Sequence, residues 1–129
     1  MDIKKLNITI LGSSGAIGSS LAKKYLNDGN HLNLFYRSIK KKNLLKKKLN
    51  YLNNKKKIQF HKFSFSNEEN ISKSIQKNKK TFLNTDLLIL TVAEQGQISN
   101  FFEMNLEQFK KTFFINFIFY IIFFRKLAP

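Results

Sequence analysis

Apolar residues in this chain alternate between two rhythms. Leu6–Gly12 (LNITILG) is a short β-branched run closed by glycine, the pattern of a strand buried on both faces. Ala16–Leu26 then brings Ile17, Leu21 and Tyr25 round at about one-turn intervals, which predicts a helix ended at Gly29. His31–Tyr36 (HLNLFY) reads as a second strand, and Ile39 to about Leu52 as a helix with Leu45, Leu49 and Leu52 on one face. Ile58–Phe65 (IQFHKFSF) predicts a third strand. Ser66 and Glu69 have the spacing of a capping box, so the acidic pair Glu68–Glu69 belongs to the start of a third helix rather than to catalysis. Asp86–Val92 (DLLILTV) predicts a fourth strand. After a loop through Met104, Asn105 and Gln108 can cap a last helix whose apolar stripe begins with Leu106, Phe109 and Phe113.

Strands alternating with helices across short connections imply a parallel sheet with right-handed crossovers. No repeat or linker divides the chain, so residues 1–129 are expected to form one domain. Between the first strand and the first helix, Gly12, Gly15 and Gly18 make the pattern G-x-x-G-x-x-G. There the first glycine permits a tight turn, the second lets backbone approach a pyrophosphate, and the third lets helix pack on strand. The helix N-terminus adds free N–H groups, and Ser13 and Ser14 can add hydroxyls. Ile17 lies inside the same turn. A P-loop is excluded, because no Gly-Lys-Ser/Thr follows. In this position the motif points to a dinucleotide. The fold class is therefore α/β, a Rossmann-type doubly wound parallel sheet of four strand–helix units, which the family resemblance given below makes a partial one.

The residue that meets the adenosine ribose should stand at the end of the second strand, about 20 residues on. Tyr36-Arg37-Ser38 occupies that place without an acid. An arginine there can take the 2′-phosphate of NADP, whereas an acid would select NAD; the alternative is that Arg37 is one more surface cation.

Composition narrows the picture further. Lys+Arg number 23 against 8 Asp+Glu, a net charge of +15. The lysines come in short clusters (Lys40–Lys42, Lys46–Lys48, Lys55–Lys57, Lys77–Lys80) without arginine–aromatic interleaving, so compositional drift is favoured over nucleic-acid binding. The run Phe113–Phe124 is shorter than the roughly 20 residues that span a bilayer, so a buried or interface helix and no membrane partner are expected, with membrane contact the weaker alternative. The same run is a candidate surface for homo-oligomer contact. The N-terminus lacks the features of a signal peptide, which makes a cytoplasmic location the expectation. With no cysteine, and with His31 and His61 lacking partners at ligand spacing, no metal site is expected.

The sequence resembles the N-terminal half of the short-chain dehydrogenase/reductase family. LGSSGAIGSSLA is similar to the family's nucleotide turn, and LFYRS to the arginine-bearing strand end of its NADP-using members. FSFSNEENI resembles the stretch that touches adenine, which implies contacts from Ser64, where the family has aspartate, and Phe65. DLLIL resembles the strand leading to an N-N-A-G motif, although Leu90-Thr91-Val92-Ala93 stands in its place, with Ala93 beside the cofactor. The last helix resembles the one carrying the catalytic tetrad's asparagine, here Asn116. Thr112, Asn116 and Tyr120 form a polar stripe at four-residue spacing; Asn116 either orders a water in a proton relay or is capped by local backbone. The resemblance implies NADP, with NAD less favoured, and an unidentified carbonyl or alcohol substrate. The family's Ser and Tyr-x-x-x-Lys have no counterpart at the expected place, so the chain is expected to be a fragment inactive alone. Tyr36–Lys40 and Tyr51–Lys55 match that spacing but fall on the adenosine side, and are read as chance. A non-catalytic NADP-binding module and a basic interaction protein on the same scaffold are the alternatives.

Overall fold

A computed structural model describes residues 4–128. Four parallel strands, β1 (Asn7–Leu11), β2 (His31–Tyr36), β3 (Ile58–Lys62) and β4 (Leu87–Leu90), form one sheet in the order β3-β2-β1-β4. The helices are α1 (Ala16–Asn27), α2 (Ile39–Lys48), α3 (Tyr51–Asn54), α4 (Glu68–Lys77), α5 (Lys79–Leu83), α6 (Leu106–Phe113) and α7 (Phe119–Leu127). Strand alternation divides the core in two. Ile8, Ile10, Leu32, Leu34 and Ile58 face Ala22, Leu26, Leu45 and Leu49 of α1 and α2 and the residue after them. Leu11, Phe35, Phe63 and Phe65 face Ile71, Ile75, Phe82, Ile115, Phe119 and Phe123 on the other side. Helices on both faces explain why β1 and β2 read as nearly continuous apolar runs.

Several boundaries differ from the sequence pattern for local reasons. The predicted Ile39–Leu52 helix breaks at Asn50, whose φ of 49° is left-handed. The break rotates the next turn, so Leu45 and Leu49 are buried while Leu52 is 77% exposed. Asn54 Nδ2 donates to the carbonyls of Leu49 and Asn50 freed by the interruption. The third and fourth strands are shorter than expected, although Phe63 and Phe65 beyond β3 remain buried. The cap of α4 is Asn67, not Ser66: its side chain accepts from the Asn70 amide at 2.8 Å, and Ser66 Oγ accepts from Asn70 Nδ2 at 2.7 Å. Glu69 instead pairs with Lys73 at 2.8 Å in solvent.

The last helix is capped as the pattern predicts, with Asn105 Oδ1 accepting from the Gln108 amide at 3.1 Å. A π-turn over Phe114–Ile118 separates α6 from α7. Ile115, Phe119 and Phe123 point into the core, while Phe109, Phe113, Phe117 and Ile121 lie exposed outside. Among the described residues, no helix is long and apolar enough to cross a membrane.

Candidate functional site

Because β1 lies between β2 and β4, successive connections leave its carboxyl end in opposite directions. In open α/β sheets this switch point leaves a crevice where ligands bind. The crevice here, about 70 Å³, is lined by Gly12, Ser14, Gly15, Phe35, Arg37, Lys41, Phe65 and Thr91–Ala93. A larger neighbouring cavity of about 260 Å³ shares Arg37 and Phe65, and continues between Ser64 and the Phe114–Ile115 turn. Most of the residues picked out by sequence therefore converge on one end of the sheet.

The glycines of the turn have different reasons for being glycine. Gly12 has a φ of +84°, and a Cβ there would sit 2.7 Å from the Thr91 carbonyl carbon. Its carbonyl accepts from the Gly15 amide at 3.1 Å, closing the turn. At Gly18 a Cβ would stand 2.2 Å from the Gly12 oxygen, so α1 could not approach the turn as it does. Gly15 differs: its φ is −75° and its Cβ would meet nothing closer than 3.4 Å. The protein's own packing accounts for Gly12 and Gly18 but does not demand glycine at 15. Gly15 is also the N-cap of α1, where no side chain caps the first-turn N–H groups and no acid stands in the first turn.

The two serines separate. Ser13 is fully buried and its hydroxyl donates to the Phe35 carbonyl at 2.8 Å, so it ties the turn to β2 and does not reach the crevice. Ser14 lines the crevice. Ser38 caps α2, accepting from the Lys41 amide at 3.3 Å. The Ser64 amide donates to Ser74 Oγ at 3.1 Å, and its hydroxyl lies 3.2 Å from Ser66 Oγ. Phe65 is buried against Phe119, with Arg37 5.8 Å above its ring centroid. Ile17 and Ala93 are exposed beside the turn and the crevice.

The segment after β4 is stitched to the last helix. The Tyr120 hydroxyl donates to the Val92 carbonyl at 2.6 Å. Asn116 Nδ2 donates to the Glu94 carbonyl and its Oδ1 accepts from the Glu94 amide, both at 2.7 Å. Thr112 packs against Gly96, where a Cβ would come within 2.9 Å of its Oγ1. Two residues of extended chain rise about 6.6 Å and four of helix about 6 Å, so partners at 92, 94 and 96 match a stripe at 120, 116 and 112. Asn116 is exposed, and its amide partners are backbone groups. At the other end of the segment, Thr91 Oγ1 reaches the Leu11 and Gly12 carbonyls at 3.1 and 3.2 Å, linking it to the glycine turn. Burial raises the Tyr120 phenol above its ordinary value, keeping it a donor.

The sequence places no acid beside Arg37, but the fold supplies one. Glu94, 57 residues downstream, accepts from Arg37 Nη1 at 3.1 Å. Lys41 also lines the crevice, and among the described residues no carboxylate pairs with it. The stripe's four-residue spacing was the readable signal for the stitched segment; no local pattern announces a pairing across 57 residues.

Tyr36 and Tyr51 do not join this site. Tyr51 packs on Phe60 at 5.3 Å, within the α1–α2 side of the core. Tyr36 shares the strand face of Leu32 and Leu34, under Lys42. The last helix covers the opposite face.

A family model described as short chain dehydrogenase matches residues 6–129. Among solved structures, ElxO with NADP bound is 20% identical with a TM-score of 0.76, over 95% of this chain and 49% of that one. A short-chain dehydrogenase/reductase, glucose/ribitol dehydrogenase, from Brucella melitensis is 20% identical at TM-score 0.75, over 96% and 51%. A doubly substituted Serratia marcescens short-chain dehydrogenase/reductase is 16% identical at 0.72, over 96% and 49%. The chain therefore spans about half the length of these structures, and at such identities the likeness shows the fold. No curated protein matches the sequence.

Proposed function

This chain belongs to the short-chain dehydrogenase family, and on that premise we propose that it binds a dinucleotide, NADP(H) ahead of NAD(H), as the cofactor-binding domain of an oxidoreductase. The observation that carries this reading is Gly15, a residue whose missing side chain the protein's packing leaves unexplained. A pyrophosphate against the uncapped start of α1 would fill that place and accept from the free amides. Ser14 adds a hydroxyl beside it. Arg37 and Lys41 would face a 2′-phosphate, with Phe65 and Ser64 toward the adenine side and Ala93 toward the nicotinamide ribose. When bound, the nicotinamide supplies or accepts the hydride exchanged with a carbonyl or alcohol substrate. Asn116 holds Glu94, in the segment after β4, through both amide atoms of its side chain.

Fluorescence titration of the 129-residue chain with NADPH and NADH tests the reading. We expect NADPH to bind more tightly, and Arg37→Ala to weaken NADPH by about tenfold, as loss of a charge-assisted hydrogen bond would. Absence of binding by either cofactor would leave a basic interaction protein as the better reading. Equal affinities, or a preference untouched by Arg37→Ala, would remove the assignment of Arg37.

A further inference from the structure

We propose that Glu94 sets how strongly the crevice prefers a phosphorylated adenosine ribose, by competing with the 2′-phosphate for Arg37; the proposal rests on the dinucleotide reading above. Arg37 is placed for that phosphate at the end of β2, yet its Nη1 already donates to Glu94 Oε1 at 3.1 Å. The pair is partly shielded, with side-chain exposures of 42% and 28%. A phosphate arriving at Arg37 would meet both a cation and, within a few ångströms, a carboxylate.

Both partners are held near the crevice. The Glu94 backbone is clamped at its amide and its carbonyl by the Asn116 side chain at 2.7 Å. The Arg37 guanidinium lies over the Phe65 ring, itself buried against Phe119. Binding a 2′-phosphate must therefore break the ion pair or bring two anions onto one guanidinium. An unphosphorylated ribose demands neither, and leaves Arg37 and Glu94 paired. Lys41 is the compensating cation: it lines the same crevice with no carboxylate partner among the described residues. Preference for the phosphate then depends on Arg37 and Lys41 together, minus the opposition of Glu94.

The experiment compares NADPH and NADH affinities of the wild-type chain, Glu94→Gln, Arg37→Ala and the double variant, by nicotinamide fluorescence. Glu94→Gln is expected to raise the ratio of NADPH to NADH affinity by about five- to thirtyfold, since one exposed charge interaction reaches about fivefold and a phosphate carries nearly two charges. In the Arg37→Ala background the same substitution should recover less than half of that gain, because Glu94 acts through Arg37. A purely structural role would move both cofactors together, leaving the ratio unchanged. An unchanged ratio in Glu94→Gln, or an equal gain with and without Arg37, overturns the proposal while leaving dinucleotide binding intact. Failure of the wild-type chain to bind either cofactor overturns both.

Discussion

At the scale of single residues, the glycine turn separates packing from ligand contact. Gly18→Ala places a methyl group 2.2 Å from the Gly12 oxygen, with the Gly12 carbonyl carbon and Thr91 Oγ1 both at 2.8 Å. We expect it to destabilise the fold by about 1–3 kcal/mol, the usual consequence of overpacking, with thermal unfolding as the measurement. Gly15→Ala adds its methyl in ordinary contact with the protein, so the melting temperature should stay near wild type while NADPH affinity falls at least about tenfold, a loss of roughly 1.4 kcal/mol. A stable Gly15→Ala chain with undiminished affinity would refute the pyrophosphate placement. The spacing of the motif and the packing role of its third glycine were readable in the chain; the crowding of Gly12 by Thr91, just past β4 and 79 residues away, was not. His61 gives a second residue-scale test. Its ring stacks on Phe35 at 4.9 Å and its Nε2 meets Asn33 Oδ1 at 3.1 Å, while burial lowers its pKa below 6.5. The unfolded chain then binds the proton more readily, so stability is fully present above pH 6.5 and declines as pH falls through the lowered value. Melting curves between pH 7.5 and 5.5 should show this decline in the wild type and a flatter profile in His61→Gln.

At the scale of elements, the order of strands and helices was legible because buried strands and amphipathic helices impose different periods on the sequence. What escaped was set by single polar side chains or distant partners. Asn50 in the left-handed region splits one predicted helix, and Asn67 displaces the expected cap by one residue. The Thr112–Asn116–Tyr120 stripe was visible, but its partners were not, since an extended segment after β4 carries no periodic signature of its own. The π-turn that contains Asn116 is equally silent in the sequence, and such turns are frequent at functional sites. Asn116→Ala removes two hydrogen bonds of 2.7 Å to one residue's backbone. At about 1 kcal/mol each, reduced by the exposure of the site, we expect a loss of roughly 1–2 kcal/mol in stability. Amide exchange should locate it: protection of Glu94 should fall, while that of β1 and β2 stays unchanged. Protection lost evenly across the sheet would mean that Asn116 supports the fold at large rather than this segment.

At the scale of the whole molecule, burial and charge oppose one another. Phe109, Phe113 and Phe117 stack in sequence along the outside of the last helix, with centroids 6.3 and 5.3 Å apart, and Ile121 extends the row. All four are about half exposed, and Phe101 and Phe102 are more so. β4 adds a second apolar surface: among the described residues it pairs with β1 alone, and each of its four residues is half-buried. Exposed apolar patches and unpaired strand edges both favour association between copies. Against this stands a net charge of +15, whose mutual repulsion is felt over about 30 Å at 0.01 M salt but only about 8 Å at 0.15 M. We therefore expect the chain to be largely monomeric in light scattering at low salt and to associate as salt is raised to 0.15 M. Phe113→Glu combined with Phe117→Ser should abolish that association if the helix drives it, and leave it intact if the β4 edge does. Contacts made by the lysine clusters with polyanions have the opposite sign, weakening as salt rises. Association that is strongest at low salt and disappears at 0.15 M would thus contradict the apolar mechanism.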